Sequence, residues 1–87
     1  MAVIYIPVIR EEEYPLFRSI VVTAKFPSDY SAFLKLVDKE TMEATYVGIS
    51  ALKMNIDFAG FKEWFGTRRY ATYTDLVNYA AAVAKSK

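Results

Sequence analysis

The sequence predicts a small α+β domain, in which a two- or three-stranded sheet is packed by about four helices in the order β-α-α-β-α-α. Three observations carry that prediction. The hydrophobic period changes inside residues 52–66, LKMNIDFAGFKEWFG. There Leu52, Met54, Ile56 and Phe58 alternate with Lys53, Asn55 and Asp57, the two-residue period of a half-buried strand. Phe58, Phe61, Trp64 and Phe65 then fall on one stripe of a 3.6-residue helix. The second observation is the N-terminal run 2–9, AVIYIPVI, which is β-branched and aromatic enough to read as a strand. The third is a pair of longer amphipathic segments, one after Pro27 and one after Thr72, each opened by a capping residue.

Taken in order, the first strand covers residues 2–9. Pro7 has no N–H, which assigns that end to a sheet edge or a strand terminus. Nearly every position of the strand is apolar, so both of its faces are covered or one of them meets a partner. Glu11, Glu12 and Glu13 open a helix whose positive N-terminal end they complement. Pro15 is tolerated only in the first turn, so the helix proper starts near Glu13 or Tyr14, and Tyr14, Phe17, Ile20 and Val21 form its stripe as far as Thr23. Residues 20–23 are β-branched, which allows either fraying or an extended exit there. Ser28 is the expected N-cap of the next helix, with Tyr30, Phe33, Leu34, Val37, Thr41 and Ala44 inward and Lys35, Asp38, Lys39 and Glu43 in water. Asp38, Glu40 and Glu43 together read as a wet helix face.

Residues 45–49, TYVGI, are expected to be a short strand or an extended approach, with Gly48 at a bulge or bend. In the following strand-to-helix unit Asp57 is the expected N-cap, and Gly66 is expected to end the helix in a left-handed conformation. Gly60 within that helix costs about 1 kcal/mol relative to Ala, which close packing against another element would explain. Thr72 or Thr74 caps the last helix, Thr72 and Asp75 having the spacing of a capping box. Leu76, Tyr79, Ala80, Val83 and Ala84 form its buried stripe, and Lys85 and Lys87 suit its negative end.

The two halves echo one another. Tyr14, Phe17, Arg18, Ile20 and Val21 match Phe58, Phe61, Lys62, Trp64 and Phe65, and the capped helix after Ser28 matches the one after Thr74. An internal duplication of a βαα unit, with halves 1–44 and 45–87 inside a single 1–87 domain, is one reading of this echo. Any capped amphipathic helix produces part of this similarity by its period alone.

The residue inventory excludes more chemistry than it suggests. The chain has no cysteine and no histidine, which removes disulfides, thiolate nucleophiles, the commonest general base and the usual zinc ligands. No Gly-rich phosphate loop, nucleophile elbow or paired-carboxylate signature is present, so no catalytic, metal or cofactor site is assigned and the chain leans away from being an enzyme. A net charge of +1 argues against a general nucleic-acid binder. Residues 1–44 carry a net −2 and residues 45–87 a net +3, an asymmetry compatible with head-to-tail packing. No apolar run approaches the about 18 residues of a membrane span, and the N-terminal strand lacks the basic region of a signal peptide, so a cytoplasmic location without a membrane partner is expected.

Fifty-four per cent of the residues are hydrophobic, and the aromatic share is 16%, more than so short a chain readily hides. A non-catalytic protein–protein interaction or oligomerisation module follows as the first expectation, its partner being another protein or a second copy in a homodimer. The apolar first strand is the expected place for a partner to extend the sheet. The alternative is a nucleic-acid or phosphorylated-ligand binder using the 68–73 loop, where Arg68, Arg69, Tyr70 and Tyr73 juxtapose guanidiniums and phenol rings. The bland counterpart is a solvated loop whose tyrosines pack on the core and whose arginines pair with Glu63 or with Glu11, Glu12 and Glu13. Trp64, at one side of its stripe, is a candidate interface anchor or a core-edge side chain. Three adjacent glutamates cannot converge on one cation, because neighbours on a helix point about 100° apart.

Overall fold

A computed structural model describes residues 2–23 and 26–86. The order is β1 (Val3–Val8), a 3-10 turn (Glu11–Glu13), α1 (Tyr14–Ile20), α2 (Tyr30–Tyr46), β2 (Ser50–Asn55), α3 (Phe58–Phe65) and α4 (Tyr73–Lys85). The fold is the small α+β arrangement that the sequence predicts, with four helices and a two-stranded sheet. The strands are parallel, which requires a long crossover between them, and α1 with α2 supplies it. Lys87 lies outside the described residues.

The pairing register is Val3 with Ser50 through Val8 with Asn55. Val3, Tyr5 and Pro7 therefore share one face of the sheet with Ser50, Leu52 and Met54, and Ile4, Ile6 and Val8 share the other with Ala51, Lys53 and Asn55. Ile6 and Pro7 point to opposite faces and both are buried, so the sheet is covered on both sides at its C-terminal end. The apolar character of β1 on both faces has that cause. Both strands pack against α2 and α4, with α4 closest to β1. The core is aromatic: Phe17, Phe33 and Phe61 are fully buried, and Phe61 lies 5.7 Å from Phe17, 5.0 Å from Phe65 and 5.6 Å from Tyr79, ring centre to ring centre.

Several boundaries differ from the sequence expectation, each for an identifiable reason. Helix α1 stops at Ile20 instead of near Thr23. Val21 is extended and forms a parallel bridge with Ala71, with the Ala71 N–H donating to the Ile20 carbonyl at 2.8 Å and the Val22 N–H to the Ala71 carbonyl at 2.9 Å. The β-branched run thus ties the α1–α2 connection to the α3–α4 connection. Helix α2 begins one residue later than a Ser28 cap implies, with Asp29 at the N-cap, and Leu34 is exposed because Phe33 and Val37 already hold the buried stripe. Residues 45 and 46 continue α2 instead of starting a strand. Gly48 has φ 78°, the Ile49 N–H donates to the Ala44 carbonyl at 2.8 Å and the Gly48 N–H to the Thr45 carbonyl at 3.1 Å. Those paired bonds are a Schellman motif, so Gly48 ends a helix and does not form a bulge.

The N-capping predictions for the second half hold, and the left-handed C-cap predicted at Gly66 does not. The Asp57 carboxylate accepts from the Gly60 N–H at 2.8 Å. Thr72 and Asp75 form a full capping box, Asp75 accepting from the Thr72 N–H at 2.8 Å and Thr72 accepting from the Asp75 N–H at 3.3 Å. Gly66 takes a positive φ of 85° with ψ −142°, so it reverses the chain without entering the left-handed helical region.

Candidate interaction surfaces

The residues that the sequence groups at 68–73 do not form one surface. Tyr73 is turned into the core, 6% exposed, at the first position of α4. Its hydroxyl donates to Glu40 Oε1 on α2 at 2.5 Å, and its N–H donates to Thr23 Oγ1 at 2.7 Å. Burial first, and the hydrogen bond to Glu40 second, raise its phenol pKa well above the usual value. Glu40 is correspondingly half-buried, and it is not part of the wet face assigned to Asp38, Glu40 and Glu43.

Arg68, Arg69 and Tyr70 remain exposed. Arg68 is already occupied: its guanidinium stacks 4.1 Å above the Phe65 ring and lies 3.8 Å from Asp75. The arginine partner is therefore the capping carboxylate of α4, not Glu63 or the glutamates at 11–13. That carboxylate also occupies the N-terminus of α4, where a phosphate would otherwise be drawn by the exposed N–H groups. Arg69 makes no ion pair among the described residues. Trp64 is 44% exposed, with its ring 5.4 Å from Tyr79 and 6.1 Å from Phe61. It lies at the core margin, with part of the indole presented to solvent.

The glutamate run has a role that the sequence conceals. Glu13 pairs with Arg10 at 3.2 Å, and its Oε1 accepts from the N–H of Phe58, the first residue of α3, at 3.1 Å. Its carboxylate complements the N-terminus of a helix in the other half of the chain. Among the described residues, no group of three or more acidic side chains is arranged to hold a metal ion. A shallow, open depression of about 320 Å³ is lined by Ile4, Glu40, Glu43, Ala44, Val47 and Ile49. Its volume is at the low end for a small-molecule site, usually about 300–1,000 Å³.

The most distinctive surface is the outer edge of the sheet, which both strands present. The Ser50 N–H donates to the Ala2 carbonyl at 3.2 Å and the Ile56 N–H to the Val8 carbonyl at 3.0 Å. Even-numbered residues of both strands therefore turn their backbone groups inward. Ala51, Lys53 and Asn55 turn theirs outward from β2, where the sheet has no further strand among the described residues. On the outer edge of β1 the same parity places Val3, Tyr5 and Pro7. Pro7 has no N–H there and is buried, and α4 packs closely on that strand. Both outer edges lack a further strand among the described residues, but Pro7 interrupts the donor row of β1, whereas Ala51, Lys53 and Asn55 give β2 an uninterrupted one. Beside it, at the N-terminal end of the sheet, Val3 and Leu52 are 41% and 45% exposed on one face.

Among the described residues, no helix is long and apolar enough to cross a membrane. No protein-family model matches the chain, and no curated protein and no solved structure matches it significantly.

Proposed function

We propose that this chain is a non-catalytic protein–protein interaction module that works by association through the β2 edge, a second copy of itself being the first partner. The observation that carries the proposal is the two-stranded sheet with no further strand beside β2 among the described residues, where the outward row of backbone groups is not interrupted by a proline as it is on β1. Two strands alone are marginal in water, and a strand that offers a row of outward N–H and C=O groups is a ready template for another. The exposed apolar side chain on that strand, Leu52, gains from being covered.

Size-exclusion chromatography with light scattering, run across the micromolar range, tests this. A concentration-dependent rise toward twice the 9.9 kDa chain mass supports it. A constant monomer mass at every concentration, with no bound partner, refutes it. The nucleic-acid alternative needs Arg68, Arg69, Tyr70 and Tyr73 to act together. With Tyr73 buried and Arg68 held by Phe65 and Asp75, only Arg69 and Tyr70 are left to meet a ligand.

A further inference from the structure

We infer that the β2 edge pairs with the β2 edge of a second copy, antiparallel, in a single register centred on Leu52. This inference rests on the self-association proposed above and adds its geometry. Two copies related by a two-fold axis place β2 against β2 in antiparallel orientation, giving a four-stranded sheet with the two β1 strands outermost. In an antiparallel ladder, directly opposed residues are both of the hydrogen-bonding kind or both of the other kind. Ala51, Lys53 and Asn55 are of the first kind on this edge, Ser50, Leu52 and Met54 of the second. A symmetric pairing must therefore be centred on a residue, and the registers that use most of Ser50–Asn55 are centred on Leu52 or on Lys53.

Charge separates them. Centring on Lys53 sets two ammonium groups directly opposite one another, which is destabilising. Centring on Leu52 sets Lys53 opposite Ala51 of the second copy and Met54 opposite Ser50. The Ala51–Lys53 pairs then exchange both of their backbone bonds across the axis. Leu52 meets its own copy at the closer, non-hydrogen-bonded spacing, burying an apolar side chain now 45% exposed. A lysine on an edge strand ordinarily discourages pairing. Here Lys53 leans toward Asp38 on α2, at 4.0 Å, and excludes one register while leaving the other open.

The chain contains no cysteine, so single-cysteine variants report the register directly. In the Leu52-centred pairing, the two residues at position 52 have Cα atoms about 4.5 Å apart, within disulfide range. The two residues at position 53 are diagonal neighbours about 7–8 Å apart, beyond it. Under mild oxidation at a concentration where the unmodified chain is dimeric, Leu52→Cys is expected to form a covalent dimer and Lys53→Cys to remain largely single-chain. Both positions are exposed, and far-ultraviolet circular dichroism confirms that each variant is folded. Leu52→Lys, which opposes two charges at the axis, is expected to weaken the dimer about tenfold or more. A dimeric chain in which Lys53→Cys cross-links as fast as Leu52→Cys, or in which Leu52→Lys leaves the dimer intact, overturns the register and leaves self-association standing. A chain that is monomeric throughout overturns both.

Discussion

Gly60→Ala distinguishes the packing of this molecule from the general behaviour of helices. In an unobstructed helix the change adds stability, about 1 kcal/mol from propensity. Here an added Cβ would overlap the hydroxyl of Tyr79, and it would lie 2.8 Å and 3.0 Å from the two oxygens of Asp57, the carboxylate that caps α3. Tyr79 is buried and hemmed in by Phe61 and Trp64, so its ring has little freedom to retreat. Overpacking of this kind costs about 1–3 kcal/mol, and loss of an N-cap bond costs about 1 kcal/mol. The unfavourable effects exceed the propensity gain, so the variant is expected to be destabilised by about 1–3 kcal/mol. Urea denaturation followed by circular dichroism reads this as a lower midpoint at unchanged slope. Adding Tyr79→Phe removes the obstructing oxygen and should restore part of the loss, giving a non-zero coupling in the double-mutant cycle. A Gly60→Ala variant that is more stable than the parent would refute the proposed contact between α3 and α4.

Three further outcomes follow from the same packing and capping. Phe61→Ala should cost about 3–5 kcal/mol by chemical denaturation, because Phe61 is fully buried among Phe17, Phe65 and Tyr79, and a loss below about 1 kcal/mol would contradict that placement. Thr72→Ala should cost about 1 kcal/mol through the capping box of α4, while Thr74→Ala, two residues further on and within the first turn, should change stability little. At high pH, burial holds the Tyr14 phenol up to about 12, and burial also raises Tyr73 and Tyr79. The folded state disfavours the phenolate, so its stability is intact below the unfolded value near 10 and is lost as pH rises through the folded values. Tyrosinate absorbance should therefore show a late step coincident with loss of helical circular dichroism. Ionisation of all seven tyrosines near pH 10 in a chain that stays folded would contradict it.

What the sequence discloses and what it conceals divide along the range of the interaction. Residues 52–66 are legible because their determinants are local: period two, then period 3.6, with Asp57 at the junction accepting from a residue three positions on. The Thr72–Asp75 box and the order of the elements are legible for the same reason. Burial of Tyr73 agrees with the reading in which the tyrosines of that loop pack on the core, but the residues it meets there are not legible. Its true partners are Glu40, 33 residues away, and Thr23, 50 residues away. Glu13 is read as serving its own helix when it serves α3, 45 residues on. Parallel pairing also escapes the sequence, since the same alternation serves either direction. With the direction unknown, the outward-pointing residues of each edge cannot be read off.

That last gap bears most directly on function. An all-apolar strand and a half-polar strand present themselves in sequence as the sticky and the safe edge. Burial reverses the order: β1 is apolar because both of its faces are covered near Ile6 and Pro7, and its outer edge is blunted by a proline. The half-polar β2 keeps its polar residues because water, or a second chain, reaches them. An edge that must pair selectively benefits from this composition. A wholly apolar edge accepts any register and any strand, whereas one lysine beside one leucine penalises most alignments and favours the alignment that puts leucine against leucine. On that basis, the polar alternation that marks β2 as an ordinary surface strand is also what makes a specific self-pairing physically reasonable there.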